Sequence, residues 1–140
     1  MKRDRMNVVL QVREGIERRR LAEQAAADLQ VRLAGQRRSS AVSALEQRSA
    51  PTAFGSVGDL HQHRLGSLAL TEAVERARDG ELAARSQAEA ADERRVQAAI
   101  ARRSAQRLAE RRGSEAAARA SRAAESQLDA VALESWRRRP

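Results

Sequence analysis

The chain has 140 residues, 33% of them charged, and its 27 Lys and Arg outweigh 19 Asp and Glu to give a formal charge of +8. Its only aromatic residues are Phe54 and Trp136, and a compact core normally draws much of its buried area from such side chains; together with an apolar content supplied largely by alanine, this argues against an enclosed globule with a catalytic cleft. The absence of cysteine excludes disulfides and thiolate metal sites, and no run of eighteen apolar residues offers a membrane-spanning helix.

The abundance of Ala, Glu, Leu and Arg is that of long helices or coiled coils. Proline stands only at 51 and 140, and the residues between are strong helix formers, which favours helix over disorder. The positive balance favours acidic partners, whether nucleic acid, anionic lipid or an acidic protein surface, and selects none of them.

At the start, Met1-Lys2-Arg3-Asp4-Arg5 is basic, yet the apolar run behind it, Val8 to Leu10 with Val12, is too short for the core of a signal peptide. A soluble, cytoplasmic protein is expected. A first helix is predicted over about 7–49. Val9, Val12 and Ile16 recur at three and four residues, as one helical face requires; Leu21, Ala25, Leu29 and Leu33 then follow a four-residue step that Ala41 and Leu45 continue. This departs from a strict heptad and predicts an irregularly supercoiled pair. Gly15 and Gly35 each cost about 1 kcal/mol relative to alanine inside a helix.

Residues 50–58 gather Pro51, Gly55, Gly58 and small hydroxyl side chains, so the helix is expected to stop there. Pro51 disfavours helical geometry at Ala50, and Ser56 with Asp59 three residues later can open the next helix. That second helix is predicted over about 59–137, roughly 120 Å if helical throughout. Leu60 and Leu65 lead into Leu70, Val74, Ala77, Ala84, Ala88 and Ala91, with Glu81 as the one polar interruption. Val96, Ile100 and Leu108 form a further row, and Ala117, Ala120, Ala124, Leu128 and Val131 another near the end. Five Glu residues stand four before an Arg, at 14/18, 72/76, 81/85, 115/119 and 134/138; each pair supports exposed helix by about 0.2–0.5 kcal/mol.

The two helices are unequal. A chain folded back near Pro51 lets the first helix cover the second only to about Arg103 or Ala105, and the rest overhangs. An unpaired helix is marginal in water, so this tail is expected to fray, to dimerise or to dock into another protein.

Chemical motifs are sparse. His61 and His63, two apart, do not share a helical face and make a poor metal pair. No nucleophile motif or glycine-rich phosphate loop is present, so no catalytic residue, metal or cofactor is assigned and no enzymatic activity is expected. The arginine clusters at 18–20, 37–38, 94–95, 102–103, 111–112 and 137–139 read first as a solvated face and then as a surface matched to an acidic protein. They lack the stacking aromatics or basic-region zipper of a nucleic-acid binder, and nucleic acid is not expected as a partner. Trp136 is either an incidental exposed residue or a binding anchor.

With its basic start, unequal helices, mid-chain break and charged tail, the chain resembles FliJ, the small coiled-coil component of the flagellar type III export apparatus. Val8-Val9-Leu10-Gln11-Val12-Arg13 looks like that family's opening. Leu108-Ala109-Glu110-Arg111-Arg112, followed by Glu115 to Leu128-Asp129-Ala130-Val131-Ala132, is similar to its late region. The resemblance implies an antiparallel two-helix coiled coil, akin to the central stalk of rotary ATPases. Its paired-termini end would enter the ring of the export ATPase FliI and promote its assembly and activity. Its hairpin end would dock on the cytoplasmic domain of the export gate protein FlhA, and it would handle export chaperones, all at the inner face of the cell membrane.

Carried over by position, the ATPase-facing candidates are Val9, Val12, Ile16, Leu128, Val131 and Trp136. The gate-facing candidates are Leu60, His63, Leu70 and Val74; with Gly66 they keep the family's spacing at the start of helix two but carry none of its aromatics. The stalk protein of injectisome-type secretion has the same shape. The alternatives from other classes are a structural or dimerising coiled coil without an export role and a basic helical nucleic-acid binder.

Overall fold

A computed structural model describes residues 5–49 and 53–138, which form two long α-helices and, among the described residues, no strand. Helix α1 covers Arg5–Arg48 and α2 covers Val57–Arg137, against the 7–49 and 59–137 read from the sequence. Ala50, Pro51 and Thr52, the centre of the expected break, lie outside the described residues. On the far side of the break, the Asp59 backbone N–H donates to Ser56 Oγ at 3.1 Å and Leu60 N–H to the Ser56 carbonyl at 3.3 Å. Ser56 therefore caps α2, occupying one of the backbone donors that a helix start leaves free.

Contacts divide the chain into two units, one of Glu17–Ala98 and one of Met1–Ile16 with Ala99–Pro140. In the first, the two helices run antiparallel. Arg48 reaches the Gln62 and His63 carbonyls, Arg38 bonds Glu81, and Gln24 Nε2 donates to Asp92 Oδ1 at 3.0 Å, so that descending positions of α1 meet ascending positions of α2.

The covered positions of this unit alternate steps of three and four. On α2 they include Leu70, Val74, Ala77, Glu81, Ala84, Ala88, Ala91, Arg95 and Ala98. On α1, Gln24, Ala27, Val31, Ala34, Ala41, Leu45 and Arg48 keep the same rhythm, with Arg38 at the intervening step. Among the described residues of this unit only Ala34, Glu81, Ala91 and Ala98 are buried, Ala91 most completely at 2% exposure. The core of this unit is thus alanine and one carboxylate. Each buried methyl contributes on the order of 0.8 kcal/mol, and the small side chains let the two backbones approach.

Two expectations are corrected. The four-step row of α1 follows the seam only in part: Leu33, Ala41 and Leu45 are half-buried, but Leu21, Ala25 and Leu29 are exposed. A four-residue step turns about 40° further round the helix each time, so a row that starts on the contact face at Leu45 walks off it. The apolar residues of α1 end up distributed with no net apolar face. On α2, Val96, Ile100 and Leu108 are likewise exposed, while the covered positions nearby are Arg95, Ala98, Arg102, Ala105 and Ala109.

In the second unit, Met6 is the buried residue, and Leu10 is half-buried. Arg5 and Met6 share a shallow groove with Ala109, Arg112, Gly113 and Ala116. Helix α1 thus accompanies α2 beyond the Arg103–Ala105 limit expected from the sequence. Every described residue from 110 to 138 is nonetheless exposed.

Candidate functional site

What the described helices present is side chains on open faces. Val9, Val12 and Ile16 keep their three-four spacing on α1 and are exposed, Val12 at 56%. They sit one residue before the positions that alternate through Leu10, Arg13 and Glu17, and so flank the contact face. Leu128, Val131 and Trp136 lie on the bare end of α2, Trp136 at 72% exposure. The two trios are separate surfaces. Met6 lies beside Ala109 to Ala116, and Leu128 is a further twelve residues along α2, about 18 Å.

The four residues near the turn divide differently. His63, Leu70 and Val74 are half-buried on the face turned toward α1, and Leu60 alone is exposed. His63 is held edge-on against the Phe54 ring, centroids 5.0 Å apart at 62°; this packing engages its imidazole with the turn. His61 is exposed, and among the described residues no group of three His, Cys, Asp or Glu could hold a metal ion.

The apolar surface near the turn instead runs through Val57, Leu60 and Leu68, all exposed, on one helical row with Glu72 and Glu75. Val57 and Leu68 escaped the sequence reading because the spacing was counted from Leu60 through His63. The row 57, 60, 64, 68 was visible, but Arg64 interrupts it.

Arg48 fixes the turn from the other side. Its guanidinium donates to the carbonyls of His63 and Gln62 at 3.4 and 3.3 Å and lies where a Cβ on residue 66 would stand. Glycine at 66 is what allows that approach.

The most perturbed group is Glu81. It is 7% exposed, accepts from Arg38 across the helix pair at 3.1 Å and from Arg85 one turn on at 2.6 Å. The Arg38 hydrogen bond, opposed by burial and aided by the charge of Arg85, holds its carboxyl below the usual carboxylate range. A single buried carboxylate with partners on both helices fixes which positions face each other, since sliding one helix would strand it.

No helix among the described residues is long and apolar enough to cross a membrane. No protein-family model, curated protein or solved structure matches the chain.

Proposed function

We propose that this chain is an antiparallel two-helix coiled coil that serves as a non-enzymatic stalk and adaptor, of the FliJ kind, in flagellar type III protein export. The observation that carries the reading is the pairing of an alanine-lined seam with a long bare end of α2. An alanine seam gives a slender pair, and arginine-rich outer faces keep it hydrated; a stalk gripped by a ring needs both. The exposed Val9, Val12 and Ile16, with the separate Leu128, Val131 and Trp136, are the surfaces offered to the export ATPase. Leu60, with exposed Val57 and Leu68 beside it, is offered to the gate protein's cytoplasmic domain, while His63, Leu70 and Val74 support it from the seam. Export chaperones are further partners, and the protein works in the cytoplasm at the inner face of the membrane.

Hydrolysis by a purified export ATPase, followed with and without the added chain, tests this reading. The full chain raises the rate. A chain ending after Ala116 keeps its paired helices by circular dichroism and loses the stimulation. Full stimulation by the shortened chain contradicts the role of the bare end, and none by the full chain overturns the export reading in favour of a purely structural helix pair.

A further inference from the structure

From Glu110 to its end at Arg137 every residue of α2 is exposed, and the sequence of one of its faces has a symmetry about Ala124. Alternating steps of four and three from Ala124 lead outward through Leu128, Val131 and Ser135 to Arg138, and through Ala120, Ala117 and Gly113 to Glu110, the two charges being equally distant from the centre. Between those limits each larger side chain has a smaller one at the mirror position: Val131 mirrors Ala117, Leu128 mirrors Ala120 and Ser135 mirrors Gly113. Gly113 borders the groove that α2 shares with Arg5 and Met6, and nothing stands within 4 Å of where its Cβ would be.

We propose that this face binds the same face of a second copy, antiparallel, about a two-fold axis through Ala124. In that arrangement valine packs on alanine and leucine on alanine at each layer, the large-against-small alternation that fills a helix interface without voids. The contact is isologous, so every pair occurs twice. Glu110 of each copy meets the end of the other at Arg138, whose guanidinium also bonds Glu134 of its own helix at 2.9 Å, so that each end joins opposite charges. A parallel arrangement sets Glu110 on Glu110, Arg138 on Arg138 and Leu128 on Leu128, with alanine layers left gaping.

Electrostatics favour a second copy over an acidic partner. The stretch 110–138 carries six arginines against five acids, so most of the chain's charge of +8 lies elsewhere. Near the centre Arg119, Arg122 and Asp129 fall on the outer side of the helix, while Glu125 and, farther along, Glu134 flank the face. The face extends over about 42 Å, long enough for an unpartnered helix to gain the stability it lacks alone. The inference stands independently of the export reading. It does imply that self-pairing and any grip on Leu128 or Val131 by a larger partner exclude each other.

Sedimentation equilibrium on the full chain, with the oligomeric mass read against the 15.4 kDa protomer, provides the first arm of the test. A dimer is expected, weakened on the order of tenfold by Glu110→Arg or by Arg138→Glu and restored by the two substitutions together. The second arm uses the absence of cysteine. Ala117→Cys alone forms no disulfide-linked dimer under mild oxidation, whereas Ala117→Cys mixed with Val131→Cys does. A monomer at all concentrations up to the millimolar range, failure of the double charge exchange to restore the dimer, or cross-linking of Ala117→Cys to itself each overturns the proposal. Far-UV circular dichroism of every variant establishes that the helices persist.

Discussion

Glu81 is a buried carboxylate bonded to Arg38 across the helix pair and to Arg85 on its own helix. Its two arginine partners hold the carboxyl ionised below the usual range. A carboxyl with a lowered folded pKa adds stability at pH values above its unfolded pKa and loses that contribution as pH falls through the folded value. The paired helices are therefore expected to lose thermal midpoint on acidification below about pH 4, and Glu81→Gln lowers the midpoint at pH 7 while reducing the loss between pH 7 and pH 3. Melting followed by circular dichroism at both pH values measures this, and parallel shifts in the two proteins would show that Glu81 has no part in it. Glu81 was legible in the sequence as the polar step in an alanine row. Its partner Arg38 was not, because only the fold brings α1 and α2 into the register where they meet.

For the elements, the two helices and the cap at Ser56 follow from local chemistry, since propensity and capping depend on neighbours a few residues away. The seam does not. Val96, Ile100 and Leu108 stood out in the sequence as apolar residues at helical spacing, yet all three face solvent, while Arg95, Ala98 and Arg102 lie on the covered side. Alanine and the aliphatic stems of arginine serve equally well between closely spaced backbones, so apolar size is a poor guide to the contact face in this chain. The surface candidates suffered in the same way: His63, Leu70 and Val74 belong to the covered face, and Val57 and Leu68 took the exposed row.

The same distinction gives a prediction for glycines inside α2. Gly80 faces open space, so Gly80→Ala is expected to stabilise the helix by about 0.5–1 kcal/mol through backbone entropy and propensity. Gly66→Ala would have to move the Arg48 guanidinium from the Gln62 and His63 carbonyls, and its gain is expected to be cancelled in large part. Denaturant unfolding of the two variants ranks them; an equal gain in both would mean that Arg48 does not hold the turn.

In the whole molecule, what the sequence made readable was the class: all-helical, with two long helices and a break between them in the fifties. Partners were reached only by resemblance, because a charged helix face has no spacing that singles out its binder. The central physical claim is that the chain reverses direction once and the two helices of Glu17–Ala98 lie side by side.

The most direct test is the separation between spin labels at Gln30 and Gln87, read by pulsed electron paramagnetic resonance in a sample diluted with unlabelled chain. These residues border one shallow groove between the helices. A single short separation is expected, set by the roughly 10 Å between packed helix axes and the reach of the labels. An uninterrupted helix would place the labels about 85 Å apart, and a separation of that order, or a broad distribution without a short component, would contradict the side-by-side arrangement.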